Sequence, residues 1–128
     1  MVRLYRSMQE DGQGFPVLGP SARTLGIRPG RDVPAVLPAG PIHPGEGGLS
    51  VSPDDPMNLP YYRRPSAWNG TGADPVWEIG STQLGTELVY RPDPDNPAHG
   101  YIEPARHMTV DEFQTVLSAT QPLWKKTP

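Results

Sequence analysis

The chain reads as a small α+β protein: a distorted mixed or antiparallel sheet with one main helix near its C-terminal end. Three observations predict this. Apolar runs of strand length recur at five places, while only one segment carries strong helical signals. The connections between the runs are long, and no strand–helix–strand alternation occurs that would build a parallel sheet. The 128 residues are enough for one hydrophobic core and too few for two.

The first strand is expected over residues 2–6, VRLYR, with Val2, Leu4 and Arg6 on one face and Arg3 and Tyr5 on the other. Residues 7–48 are dominated by Gly, Pro and polar side chains, and so long a loop in a small domain is usually functional or ordered by a partner. LSVS at 49–52 is a brief strand whose serines share a face, and 53–75 is a second loop carrying YYRRP and WNGTG. Strands are expected again at 76–79 (VWEI), 86–90 (TELVY) and 99–103 (HGYIE). The helix begins after Thr109. Thr109 and Glu112 have capping-box spacing, Asp111 adds negative charge to the first turn, and Val110, Phe113, Val116 and Leu117 recur on one side. Pro122 ends it.

Eighteen prolines and 14 glycines make up a quarter of the chain, a composition that borders on low complexity. They are interspersed with Trp, Tyr and aliphatic residues, and a net charge of −3 is too small to hold the chain open by self-repulsion. A folded, loop-rich protein is expected. With no cysteine there is no disulfide, thiolate metal site or cysteine nucleophile. The N-terminal MVRLYRSMQEDG has no apolar stretch of a cleavable signal peptide, and no window is long and apolar enough for a membrane span. Export, if it occurs, is expected through a machine that does not read such a signal. The acidic balance argues against non-specific nucleic-acid binding. No nucleotide-loop, metalloprotease or nucleophile-elbow motif is present, and His43, His99 and His107 are too scattered to suggest a metal.

Three places carry candidate chemistry. Arg6 ends the first strand, and a guanidinium supplies the planar fork that grips phosphate or ribose. Ser50 and Ser52 flank Val51 after two glycines, where backbone can approach a ligand while a hydroxyl orients it. Glu103 lies where the last strand is expected to run out. Singly, each reads as an ordinary strand or surface residue; their order is what draws attention. In the loop at 61–65, Tyr61, Arg63 and Arg64 offer aromatic faces beside guanidinium groups, a pairing suited to stacking a base and binding a pyrophosphate. Trp77 reads as core, and Trp124 as core or interface.

An arginine on the first strand, a serine strand in the middle and an acid on a late strand resembles the layout of arginine–serine–glutamate ADP-ribosyltransferases. More closely, LYR at 4–6, GLSV at 48–51 and HGYIEPARHM at 99–108 resemble the ADP-ribosyltransferase-like cytotoxic effectors of type VI secretion and related polymorphic toxin domains. In the last block His99, Ile102, Pro104, Ala105, Arg106 and Met108 fit a His-x-x-Ile-x-Pro-Ala-basic-x-Met pattern. Leu49 stands where that family can have Thr, and the family does not require an acid at the position of Glu103.

The resemblance implies one ADP-ribosyltransferase-like toxin domain over residues 1–128 that uses NAD as substrate, transferring ADP-ribose to a macromolecule or hydrolysing NAD. It implies catalytic roles for Ser50, with Glu103 or His99 facing the nicotinamide ribose, and cofactor contacts from Arg6, Ser52, Tyr61, Arg63 and Arg64. It also implies a cognate immunity protein, a secretion-apparatus carrier, and action in the cytoplasm of a recipient cell, with neither membrane nor metal involved. Two other readings stand beside it. One is an RNA 2′-phosphotransferase-like enzyme using Arg63, Arg64, His99 and Arg106. The other is a non-enzymatic secretion or phage structural module that binds through its Pro/Gly loops.

Overall fold

A computed structural model describes residues 1–127. Its strands are β1 (Arg3–Ser7), β2 (Pro41–Ile42), β3 (Leu49–Pro53), β4 (Val76–Gly80), β5 (Leu88–Pro92), β6 (Gly100–Pro104), β7 (Met108–Thr109) and β8 (Lys125–Lys126), with one α-helix, α1 (Val110–Ala119). Six strands form a sheet in the order β5-β6-β3-β1-β4-β8, and β2 and β7 make a separate ribbon. Every pairing between these strands is antiparallel. The expected class holds: an antiparallel sheet with one main helix.

Alternation along the strands divides the sheet into two faces. Leu4, Leu49, Val51, Trp77, Ile79 and Ile102 are buried in the main core with Val110, Phe113 and Leu117 of α1. Helix α1 starts as its sequence demands: Thr109 Oγ1 accepts from the Glu112 N–H at 3.1 Å, and the Glu112 carboxylate accepts from the Thr109 N–H at 3.2 Å. The opposite face carries Tyr5 and Val76, which cluster with Leu59 and, beside them, Trp68.

Residues 7–48 do more than connect. Met8, Leu25, Ile27, Val33 and Ile42 from this segment enter the main core. Gln114 of α1 binds the segment as a strand would, its amide oxygen accepting from the Ile27 N–H and its amide nitrogen donating to the Ile27 carbonyl, both at 2.9 Å. The expected strand at 86–90 lies at Leu88–Pro92, and the one at 99–103 lies at Gly100–Pro104, so Glu103 sits inside a strand and not at its end. Trp124 is core: it is buried, and its Nε1 donates to Thr120 Oγ1 at 3.0 Å. Among the described residues no helix is long and apolar enough to cross a membrane.

Candidate active site at the split of the sheet

Strands β1 and β4 are paired over five positions, but β1 and β3 only at Leu4↔Pro53 and Tyr5↔Ser52. Beyond Tyr5 the two strands diverge, and β3 continues as the partner of β6. A cleft of about 260 Å³ opens at this split, with Arg6 and Ser7 from β1 on one wall and Ser50 and Ser52 from β3 on the other.

Arg6 occupies the fork. Its Nε and Nη2 donate to the Thr24 carbonyl at 3.2 and 2.9 Å, Nη2 also to the Ser21 carbonyl at 3.2 Å, and Nη1 to the Ser50 carbonyl at 2.8 Å. A guanidinium has five N–H donors, so these four bonds leave one Nη1 proton for a ligand. Burial lowers the Arg6 pKa to about 10; Asp32 opposes the drop, and Arg63 and Arg28 add to it. The side chain therefore stays charged at neutral pH. Arg28 and Arg63 line the same cleft. Arg28 grips Asp32 through two bonds, Nη2 to Oδ1 at 2.9 Å and Nε to Oδ2 at 3.2 Å. Three arginines face one carboxylate, so the cleft attracts anions.

On the β3 wall, Ser50 Oγ lies 2.5 Å from His99 Nε2, and His99 Nδ1 lies 2.9 Å from Asp93 Oδ2. Asp93 belongs to the turn between β5 and β6, where its Oδ1 also accepts from the Asp95 N–H at 2.9 Å. The bond from His99, and then that backbone bond, hold the Asp93 pKa below the ordinary carboxylate value. An ionised Asp93 can only accept, so it fixes the proton on His99 Nδ1. In the neutral imidazole Nε2 is then bare and accepts the Ser50 hydroxyl proton. The ring of His99 also meets Tyr101 edge-on, with centroids 4.7 Å apart.

Of the residues expected from the sequence, Arg6, Ser50, Ser52, Arg63 and His99 line this cleft. Tyr61 does not; it is 61% exposed and packs edge-on against Tyr62, which does line the cleft, with Arg63 Cζ 5.6 Å from the Tyr62 ring centre. Arg64 is a loop clasp, its guanidinium donating to the carbonyls of Trp68, Met57 and Leu59. Glu103 stands outside as well. Its carboxylate is buried and accepts from Arg91 Nε at 2.6 Å and from the Gly45 N–H at 3.0 Å. Arg106 is tied to Glu87 and Glu112 at the start of α1. The two glycines before the serine strand serve chain packing: Gly47 has φ +114 and lies against the Asp32 carbonyl, and Gly48 lies against the Ile102 carbonyl. A side chain at either would collide with backbone.

Sequence reasoning missed Asp93, Arg28 and Asp32, and of the two tyrosines in YYRRP it singled out Tyr61, whereas Tyr62 lines the cleft. The Arg28–Asp32 pair had a signal, opposite charges four apart around a Pro-Gly turn. Asp93 and His99 are six apart across the β5–β6 turn, and nothing in RPDPDNPAH says which of its acids turns inward. Among the described residues no group of three or more His, Asp or Glu side chains is placed to hold a metal ion.

Searches of curated proteins and of solved structures return no match. Over residues 2–124, nearly the whole chain, the sequence matches the family model described as Tse2 ADP-ribosyltransferase toxin, and the chain belongs to that family.

Proposed function

We propose that this chain binds NAD in the cleft at the sheet split and breaks its nicotinamide–ribose bond, passing ADP-ribose to a macromolecule or to water. The observation that carries the reading is that Arg6 and Ser50, 44 residues apart, line one cationic cleft in a chain from an ADP-ribosyltransferase toxin family. The sheet that opens between β1 and β3 supports an ADP-ribosyltransferase-like fold in the same way.

The residues present suit a dinucleotide. Arg63, Arg28 and the remaining Arg6 N–H are donors for a pyrophosphate. The exposed ring of Tyr62 is a stacking face for a base at the rim. About 260 Å³ is near the small end of ligand pockets, which run from about 300 Å³ upward, so one half of the dinucleotide would lie inside and the other along the rim. Ser50 and Ser52 would order the ribose, and His99 would face the carbon that becomes positive as nicotinamide leaves, the role the sequence shared between His99 and Glu103.

As a toxin, the chain would be carried by secretion components, act in the cytoplasm of a recipient bacterium in interbacterial competition, and be held inactive by a cognate immunity protein. The RNA 2′-phosphotransferase reading needs paired arginines near a histidine. Arg64 and Arg106 are engaged elsewhere, which disfavours it.

The test is induction of the wild-type chain in a bacterial cytoplasm, following growth and the NAD pool, with nicotinamide release measured on purified protein. Growth arrest with NAD loss or ADP-ribosylated macromolecules is expected, relieved by Ser50→Ala and Arg63→Ala at matched expression. Unimpaired growth with no nicotinamide release by the folded protein would remove the proposal.

A further inference from the structure

We propose that Ser50 is itself a nucleophile, activated by His99 and Asp93, and that it accepts ADP-ribose covalently. This rests on the NAD reading above for the identity of the electrophile, but the activation is argued from geometry alone.

Three side chains from three places form one proton path. Ser50 is on β3, His99 immediately precedes β6, and Asp93 is in the turn that joins β5 to β6. The contacts run Ser50 Oγ to His99 Nε2 at 2.5 Å and His99 Nδ1 to Asp93 Oδ2 at 2.9 Å. Because Asp93 accepts from Nδ1, the serine hydroxyl donates to Nε2 in the neutral imidazole. Its oxygen is then left with lone pairs to offer the cleft, which both Ser50 and His99 line. A hydroxyl whose proton is already shared with an imidazole, itself oriented by a carboxylate, is the general arrangement for making serine nucleophilic. The acid expected to serve the cleft, Glu103, is held elsewhere by Arg91 and Gly45. His99 is therefore the base nearest the assigned serine, and Asp93 is a positioning residue that acts through it.

The step balances. The Ser50 oxygen forms a bond to the anomeric carbon of the nicotinamide ribose while the bond from that carbon to the pyridinium nitrogen breaks. The breaking bond's electron pair stays with the ring, and neutral nicotinamide leaves. The hydroxyl proton passes to His99 Nε2, giving an imidazolium whose Nδ1–H remains on Asp93. The positive charge lost from the pyridinium appears on the imidazole, beside a carboxylate that stabilises it. The product is an ADP-ribosyl group on Ser50.

The experiment has two arms on the purified full-length chain. In the first, nitrogen NMR of neutral His99 reports which ring nitrogen carries the proton. A protonated Nδ1 and bare Nε2 are expected, with Asp93→Asn losing that preference. The opposite tautomer in the wild type would overturn the proposal, because Ser50 could then not donate to Nε2. In the second, the protein is mixed with NAD, quenched in acid from the first turnover onward, and mapped by peptide mass, with nicotinamide measured in parallel. One ADP-ribosyl unit on the Ser50 peptide is expected, absent in Ser50→Ala. In Asp93→Asn it should form on the order of 100-fold more slowly while thermal stability stays near wild type. Nicotinamide release with Ser50 unmodified at every time would overturn the proposal and leave the NAD reading intact. No nicotinamide release, with the expected tautomer present, would overturn the NAD reading and, with it, the covalent adduct.

Discussion

Arg6 Nη1 donates to the Ser50 carbonyl at 2.8 Å across the point where β1 and β3 stop pairing. One side chain thus ties together the two strands it separates. It also fastens the segment around Thr24 and Ser21 to the floor of the cleft. Near the end of β1 its guanidinium satisfies carbonyls on both sides of the split.

The first prediction follows from that dual role. Arg6→Ala should destabilise the fold by about 3 kcal/mol, since it strands several carbonyls that now accept from a charged donor. Arg6→Lys should also destabilise, because one ammonium cannot replace a fork that reaches three carbonyl groups at once. Denaturant unfolding measures both. Loss of toxicity in either variant therefore says little about ligand binding unless stability is measured beside it. Wild-type unfolding midpoints in both would refute the structural role.

Glu103 gives a contrasting case. Its carboxylate is 2% exposed, yet it serves Arg91 and the Gly45 N–H and not the cleft. Glu103→Ala should cost about 1–3 kcal/mol by removing a buried carboxylate that serves the Gly45 N–H and Arg91 together. Nicotinamide release per folded molecule should stay close to wild type. A fall of 100-fold or more in turnover with stability unchanged would return Glu103 to the chemistry.

Local features were legible in the sequence where one segment decides its own structure. The capping box of α1, the serine face of β3 and the Arg6 face of β1 all follow from spacing within a few residues. The core role of Met8, Leu25, Ile27, Val33 and Ile42 was not legible, because no period marks them in a segment rich in Pro and Gly. They are placed by distant partners such as Gln114, 87 residues from Ile27. The site divides in the same way. Arg6 and Ser50 were found from their places on strands, and His99 from the resemblance carried by the block at 99–108. Asp93 was not, because its inward turn depends on the β5–β6 hairpin register, which pairs Pro92 with Gly100. Arg64 shows the reverse error: a guanidinium beside tyrosines reads as a ligand contact but closes its own loop.

At the rim, binding and folding should separate. Arg63 lines the cleft, and Tyr62, half exposed, packs beside it. Arg63→Ala should raise the KM for NAD about tenfold through loss of a charged donor, with little change in unfolding midpoint. Tyr62→Ala should raise it by less, because only a stacking face is removed. Added salt should weaken binding in the wild type more than in Arg63→Ala, since the variant has lost one of the charges that salt screens. Steady-state kinetics at two ionic strengths checks all three, and an unaltered KM in Arg63→Ala would exclude the rim from the NAD site.

The last prediction concerns acid. Glu112 has its pKa lowered first by the Thr109 N–H; burial opposes this, and Arg106 lowers it further. A carboxyl depressed in the folded state binds fewer protons there than in the unfolded chain, so it stabilises the fold above its ordinary pKa, and that contribution is lost as pH falls through the folded value. The window lies below the unperturbed value of 4.5. Glu112→Gln keeps an oxygen for the Thr109 N–H but removes the charge beside Arg106 and the helix N-terminus. The variant should therefore be less stable than wild type at neutral pH, and the two stability curves should converge on acidification through this window. Thr109→Ala, which removes the uncharged half of the same cap, should be less stable by about 1 kcal/mol at both ends of that range. Denaturant unfolding at a series of pH values separates the two. Curves for Glu112→Gln and wild type that run parallel from neutral pH down into acid would show that the charge at the start of α1 contributes nothing to holding the helix on the sheet.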